Sequence, residues 1–227
     1  EYEYNSLNQL VKQYLPDHDP MDIWDYILPN GLDSRLRVTS TQFVGSGKGY
    51  LTGYISLSGG IERGVIYTSD DGGYSWQKLS GIVGADLKKI FMAGSNIGYA
   101  VGPNGTALKT SDNGTTWDYL VAALGTGQSS TLDDLYFLSA HGGIMVGNGT
   151  VLYTNDDGAN FSIKTSVASG SSALTSKDIV SVTVFNGEYY IIANEDLGGG
   201  NKKGHVYHMN TSFPTVWTED LNFVAND

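Results

Sequence analysis

The chain contains no cysteine, so no disulfide, thiolate metal site or thiol nucleophile can belong to it. No stretch approaches the roughly eighteen uninterrupted apolar residues of a membrane-spanning helix. Proline is scarce, at five residues, and basic residues number 13 against 24 acidic ones. The resulting net charge of −11 is spread along the sequence rather than gathered in a tail. Such a surface repels phosphate backbones and anionic lipid, so neither nucleic acid nor a membrane surface is an expected partner. The first residue is Glu1 rather than methionine, which fits a processed exported protein or a trimmed chain. What the sequence has in quantity is glycine, 30 residues in 227, and tyrosine, 15. That balance suits many short strands joined by tight turns and argues against long helices. Hydrophobic types at 40% are enough to bury a core in one large domain or two small ones.

An octapeptide recurs. Ser69-Asp70-Asp71-Gly72-Gly73-Tyr74-Ser75-Trp76 is echoed by Thr110-Ser111-Asp112-Asn113-Gly114-Thr115-Thr116-Trp117 and, more loosely, by Thr154-Asn155-Asp156-Asp157-Gly158-Ala159-Asn160-Phe161. Asp71 to Asp112 is 41 positions and Asp112 to Asp156 is 44. A period in the forties that carries a turn and a terminal aromatic is the length of one four-stranded propeller blade. Between the turns, alternating apolar runs broken by glycine repeat as well. They predict strands near Thr41–Gly45, Gly49–Ser56, Gly64–Ser69 and Ser75–Leu79, then at corresponding places in a second unit (Leu87 to Val121) and a third (Leu132 to Ile163). A fourth unit follows at Asp178–Phe185, Glu188–Ala193, Gly204–Met209 and Thr215–Thr218, its turn degraded to Asn210-Thr211-Ser212-Phe213-Pro214. The expected fold is all-β: a propeller of four-stranded antiparallel blades, four of them recognisable, each too small to bury its faces without its neighbours.

These octapeptides resemble the Asp-box, or BNR repeat, of sialidases, sortilin-type receptors, photosystem assembly factors and many secreted bacterial propellers. The resemblance implies that each box is the hairpin between the third and fourth strands of a blade. Asp71, Asp112 and Asp156 would accept amide hydrogens within their own loops. Ser69, Thr110 and Thr154 would close the turns over Gly73, Gly114 and Gly158, and Trp76, Trp117 and Phe161 would fill gaps between blades. These are fold roles.

The blades account for residues 41–218, which leaves segments 1–40 and 219–227. Asp220-Leu221-Asn222-Phe223-Val224 looks like the first strand of another blade, by likeness to Asp86–Phe91 and Asp134–Phe137. Trp24-Asp25-Tyr26-Ile27-Leu28 echoes Trp117-Asp118-Tyr119-Leu120-Val121. One reading makes the two ends a shared fifth blade that closes the ring and removes exposed edges. The other takes Leu7, Leu10, Val11, Tyr14 and Leu15 as a helix stopped by Pro16, so that the N-terminal segment is an arm and the last strand opens a further blade.

A sialidase needs several separated arginines to grip a carboxylate. This chain has only Arg35, Arg37 and Arg63, and no Arg-Ile-Pro signature. A different glycoside hydrolase could draw two carboxylates from Asp86, Asp133, Asp134, Asp178, Glu195 and Asp196. His205 and His208 are three apart on a predicted strand and point to opposite faces, so they cannot share a metal. Neither a metal nor a cofactor is expected. Five sequons, at Asn104, Asn113, Asn148, Asn160 and Asn210, incline the chain toward the cell exterior. The longest predicted loops are Leu57–Arg63, Ala122–Thr131, Val167–Lys177 and Asn194–Lys203. All of them fall on the face opposite the boxes, and long loops on a rigid scaffold are where binding concentrates. Glu62, Arg63, Gln128, Asn194, Glu195, Asp196, Asn201, Lys202 and Lys203 are its polar candidates. The expected function is non-catalytic binding of a protein or glycan by a secreted, cell-surface or virion-surface propeller. The alternatives are a glycoside hydrolase built on the loop carboxylates and an architectural subunit of a larger assembly.

Overall fold

A computed structural model describes residues 2–4, 10–13, 30–45, 47–79, 86–94, 96–120, 130–139, 141–212 and 214–224; for 2–4, 10–13 and 221–224 it describes the backbone alone. A short antiparallel pair, β1 (Tyr2–Tyr4) and β2 (Leu10–Gln13), comes first. Four sheets of four strands follow. The first holds β3 (Leu36–Val44), β4 (Lys48–Ser56), β5 (Glu62–Ser69) and β6 (Gln77–Lys78), and the second β7 (Lys89–Met92), β8 (Gly98–Val101), β9 (Ala107–Thr110) and β10 (Asp118–Tyr119). The third holds β11 (Leu132–Phe137), β12 (Gly143–Gly147), β13 (Thr150–Thr154) and β14 (Ser162–Ile163), and the fourth β15 (Asp178–Phe185), β16 (Glu188–Gly198), β17 (Asn201–Asn210) and β18 (Thr218–Val224). Within each sheet every strand pairs antiparallel with the next in sequence. The first strands lie side by side, β3 against β7, β7 against β11 and β11 against β15. The chain therefore folds as a row of β-propeller blades around a common axis.

Burial explains why blades of this size are stable only together. In the first three sheets the second and third strands are largely buried on both faces, as in β12, where all five residues of GIMVG are inaccessible. Tyr50 and Ile66 of the first sheet meet Leu87, Ile90, Met92, Ala100 and Leu108 of the second. Tyr99 and Val101 meet Leu132, Leu135 and Phe137, with Tyr99 stacked on Phe137 at 3.8 Å. Ile144, Val146 and Val151 meet Ile179, Val182, Tyr189, Ile191, Tyr207 and Trp217. Polar links repeat along the axis: Asp134 of β11 accepts hydrogen bonds from the Ser181 hydroxyl and the Val182 amide of β15, both at 3.0 Å. Among the described residues no comparable packing joins β15 back to β3. The outward face of the fourth sheet stays open. Ile192 there is 48% exposed, although the residues in its register place in the other sheets, Thr52, Val101 and Val146, are inaccessible.

The first strand of a blade begins with a register shift, at Val38/Ser40, Leu132/Asp134 and Ile179/Ser181. Opposite it the backbones come so close that a Cβ on Gly53 would lie 2.0 Å from the Arg37 carbonyl oxygen, and one on Gly147 would lie 1.8 Å from that of Thr131. Glycine is required at those places for close approach rather than for its dihedral freedom.

The ends differ from the sequence expectation. Leu10–Gln13 is a strand paired with Tyr2–Tyr4, not part of a helix; so short an apolar run nucleates a helix poorly, and a partner strand satisfies its backbone directly. Asp220–Val224 does not open another blade. It continues Thr218 as β18, the outermost strand of the fourth sheet, because the ten-residue β17 offers an edge long enough to pair along. Its expected pairing with Trp24–Leu28 lies outside the described residues. β3 begins at Leu36, so the expected boundary at residue 40 falls inside a strand.

Candidate functional site

The two ends of the blades differ in chemistry. At one end lie the octapeptide turns between third and fourth strands. The Asp112 carboxylate accepts the Thr116 amide at 2.9 Å, the Thr116 hydroxyl at 2.7 Å and the Thr110 hydroxyl at 2.8 Å. The Thr110 hydroxyl in turn accepts the Gly114 amide at 2.9 Å, and the Trp117 indole donates to the Gly114 carbonyl at 3.2 Å. Asp71 and Asp156 repeat the pattern with Ser75 and Ser69, and with Asn160 and Thr154. The Ser75 hydroxyl and amide hold the Asp71 carboxyl down at about 2, and the corresponding donors lower Asp112 and Asp156. The second and third turns are also seated on the preceding blade: Tyr50 donates to the Asn113 carbonyl at 3.0 Å, and Lys109 to the Asp157 carbonyl at 2.6 Å. In these turns the Asp71, Asp112 and Asp156 carboxylates and the Ser69, Thr110 and Thr154 hydroxyls are engaged in hydrogen bonds of their own loops.

At the other end, the connectors enter the first strands and second strands turn into third. Charged side chains gather here around the start of each first strand. Lys88 lies 3.5 Å from Asp133, and Lys89 3.2 Å from Asp134. Burial raises the Asp133 pKa, Lys88 opposes that, and neighbouring Asp178 adds to it. A side-chain hydrogen bond with Asp86 is the main cause of the raised pKa of Glu62. In the first sheet a cleft of about 290 Å³ is lined by Ser34, Arg35, Leu36, Arg37 and Ser56. Arg35 is tied to Asp33 at 2.8 Å, and holds that carboxyl at about 2.

The residues singled out from sequence fall into two groups at this end, with two sheets between them. Glu62 and Arg63 begin β5, opposite Ser56 and Ile55, and both are exposed. Asn194–Lys203, expected as a loop, is instead the paired continuation of β16 and β17, with Asn194 opposite Gly204, Glu195 opposite Lys203, Asp196 opposite Lys202 and Asn201 opposite Gly198. Its turn is Gly198–Gly200, all three at positive φ, and Asp196 caps it by accepting the Gly198 amide at 2.8 Å. The glycines read as a flexible loop, yet they serve a tight hairpin. Gln128 lies outside the described residues. Of the predicted set, Glu195 alone reaches into the interior, where it meets His205 at 2.9 Å and Lys177 at 3.4 Å. Sequence reasoning set His205 aside and did not consider Lys177 or Glu219. The signal was strand alternation, which puts His205 on the same side as Tyr207 and Met209, both buried, and a histidine there needs partners.

Among the described residues, no helix is long and apolar enough to cross a membrane, and no group of three or more His, Asp or Glu side chains is arranged to hold a metal ion.

No family model matches the chain, and neither does any curated protein. Solved structures do resemble it. YCF48 bound to D1 peptide superposes with a TM-score of 0.57 at 17% identity, over 84% of this chain and 58% of that one. YCF48 from Cyanidioschyzon merolae gives 0.58 at 16%, over 83% and 57%. An ancestral GH74 enzyme gives 0.60 at 15%, over 81% of this chain and 25% of its own. The chain thus spans little more than half the length of the YCF48 chains it matches. At such identities the likeness shows the fold, a β-propeller.

Proposed function

We propose that this chain is a non-catalytic propeller of the Asp-box type, displayed outside the cytoplasm, that binds a protein segment across the connector end of its blades. The observation that carries the reading is the contrast between the two ends. The turn carboxylates already hold three hydrogen bonds each from their own loops, whereas the connector end gathers mixed charge beside an arginine-lined cleft. A mixed-charge rim favours a partner carrying both signs, as a polypeptide does and a neutral glycan does not. The carboxylates available to a glycosidase argue the other way. Catalytic pairs stand roughly 5 to 9 Å apart, but Glu62 and Asp86 are in hydrogen-bond contact, Asp134 is occupied by β15, and Glu195 is held by His205 and Lys177. That a structurally similar protein is known bound to D1 peptide is consistent with a peptide-binding use of this fold.

A displayed peptide library and a glycan array, probed with the wild type, the double variant Arg37→Glu/Lys88→Glu and the turn-end variant Tyr74→Ser, test this. Peptide hits should weaken about tenfold or more with the charge reversals and be untouched by Tyr74→Ser. Glycan binding without peptide binding, or release of sugar from a polysaccharide, would overturn the proposal.

A further inference from the structure

Four charged side chains meet inside the fourth blade. His205 is wholly inaccessible, Lys177 is 1% exposed and Glu219 7%, while Glu195, at 30%, closes the cluster toward solvent. The imidazole lies between two carboxylates, with Nδ1 2.6 Å from Glu219 Oε1 and Nε2 2.9 Å from Glu195 Oε2. An ionised carboxylate only accepts hydrogen bonds, so both contacts are satisfied together only if both ring nitrogens carry hydrogen. In that state the four charges sum to zero, as a buried cluster requires. Tyr207, on the same strand, is the other titratable ring close by, at 6.0 Å and nearly parallel to the imidazole. His208 points to the opposite face and pairs there with Asp220.

The cluster also holds down a connector. The segment from Lys164 to Lys177 joins the third blade to the fourth. Its first half is fixed by neutral bonds: the Trp217 indole donates to the Lys164 carbonyl, the Trp217 amide to Ser166, and the Ala168 amide to Trp217. Its second half rests on the charged cluster. The Ser172 amide donates to Glu219 Oε2 at 2.7 Å, Tyr207 donates to the Ser172 carbonyl at 3.0 Å, and Lys177 ends the segment against Glu195. We propose that His205 is a buried imidazolium that clamps Glu195 and Glu219, and that this cation is a proton-operated clasp fixing Ser171–Lys177 on the fourth sheet.

The direction of the switch follows from the charges. Loss of the proton leaves one carboxylate facing a ring lone pair and a net negative charge in a low-dielectric site. Either Glu195 or Glu219 then loses its hydrogen bond to the imidazole, and with it Lys177 or the Ser172 amide loses a fixed partner. Burial favours a protonated Glu219, but the Ser172 amide and the imidazole outweigh it and draw the carboxyl down to about 2, so the acids stay ionised far below neutrality. The clasp is closed on the acidic side of the His205 titration and open on the basic side.

Two measurements on the full chain test it. Ring ¹⁵N shifts report the protonation of His205 directly, and amide exchange corrected for its intrinsic pH dependence reports the segment. At about pH 5.5, on the acidic side of the ordinary imidazole range, both ring nitrogens should carry hydrogen. As rising pH removes a hydrogen from the ring, the protection of the Ser172 and Lys177 amides should fall about tenfold or more, while the Leu132 amide, bonded to Gly102 between other blades, keeps its protection. In His205→Gln the protection at Ser172 should be low and independent of pH. A neutral His205 at the acidic pH overturns the proposal even if the variant fails to fold. So does protection that is indifferent to the titration of His205, or a pH dependence that survives in His205→Gln.

Discussion

Replacing Gly114 by alanine tests whether the octapeptide turns weld neighbouring blades or merely decorate them. Gly114 sits at φ +78, and a Cβ built on it would lie 2.4 Å from Cε1 and 3.1 Å from Cδ1 of Tyr50, a ring of the preceding blade that is wholly inaccessible. Two costs follow. Holding alanine in the left-handed region costs about 1 kcal/mol. Forcing a methyl into a packed ring that cannot turn away, because its hydroxyl is bonded to Asn113 at 3.0 Å, costs about 2 kcal/mol more. Gly72 supplies the control, since it has φ +75 and nothing within 4 Å of the added carbon. Gly72→Ala should then cost about 1 kcal/mol and Gly114→Ala about 3 kcal/mol. At about 2 to 4 °C per kcal/mol for a chain of this size, that is a fall in Tm of about 3 °C against about 9 °C. Thermal unfolding followed by circular dichroism reads both. In the double variant Tyr50→Val/Gly114→Ala, the alanine should add only the backbone part, because the space it needs has been vacated. Equal shifts for the two glycine variants would refute the reasoning, since the turn would then not be seated on Tyr50.

Asp134→Ala should cost about 3 kcal/mol in urea unfolding, because it strands the inward-facing Val182 amide and the Lys89 ammonium at the junction of the third and fourth blades; a variant within 0.5 kcal/mol or so of wild type would show that the link carries no load. Acid stability should depend on Glu219. Its carboxyl is ordinary when unfolded and is held at about 2 when folded, so its contribution is present above roughly pH 4.5 and is lost as pH falls toward 2. Glu219→Gln should flatten the fall in Tm across that window, and a variant whose Tm falls in parallel with wild type would exclude Glu219 as its source.

The repeat was legible because three turns spend the same residues on the same bonds: an aspartate that takes hydrogens from a residue four places on, and a hydroxyl two places before it that takes the glycine amide. Strand positions followed from alternation. The fourth blade was the hardest to read because its turn lacks the aspartate. Its aromatic, Trp217, is inaccessible, whereas Trp117 and Phe161 are half-buried, and it is held by the preceding connector instead of its own loop. Without the turn as a marker, the last strand was split between two blades. Asn194–Lys203 was misread for a related reason: glycine marks both floppy loops and tight hairpins, and only the pairing of Glu195 with Lys203 and Asp196 with Lys202 separates them. The site was less legible than the fold. No local pattern reports that Lys177, Glu195, His205 and Glu219, scattered over more than forty residues, meet in one interior cluster.

The two ends of the blades therefore tolerate change differently. A turn whose central carboxylate and hydroxyl are bonded within its own loop, and which is pinned beneath by a tyrosine or lysine of the preceding blade, is committed first to the fold. Substitution there is read in stability. At the connector end the backbone needs only to cross from one outer strand to the next inner one, and loops that run over a surface tolerate varied length and composition. That freedom is visible in the chain: the β4–β5 hairpin turns at Leu57–Ile61, whereas β16 and β17 extend as a paired arm to Gly198–Gly200. Charges at this end are partnered in part by one another, through Lys88 with Asp133 and Lys89 with Asp134. A partner that displaces one member of such a pair must supply its charge or leave it unpaired. Under the proposed binding role, recognition would select for charge pattern before shape, so reversing Arg37 and Lys88 should cost more binding than truncating any apolar residue of the same rim.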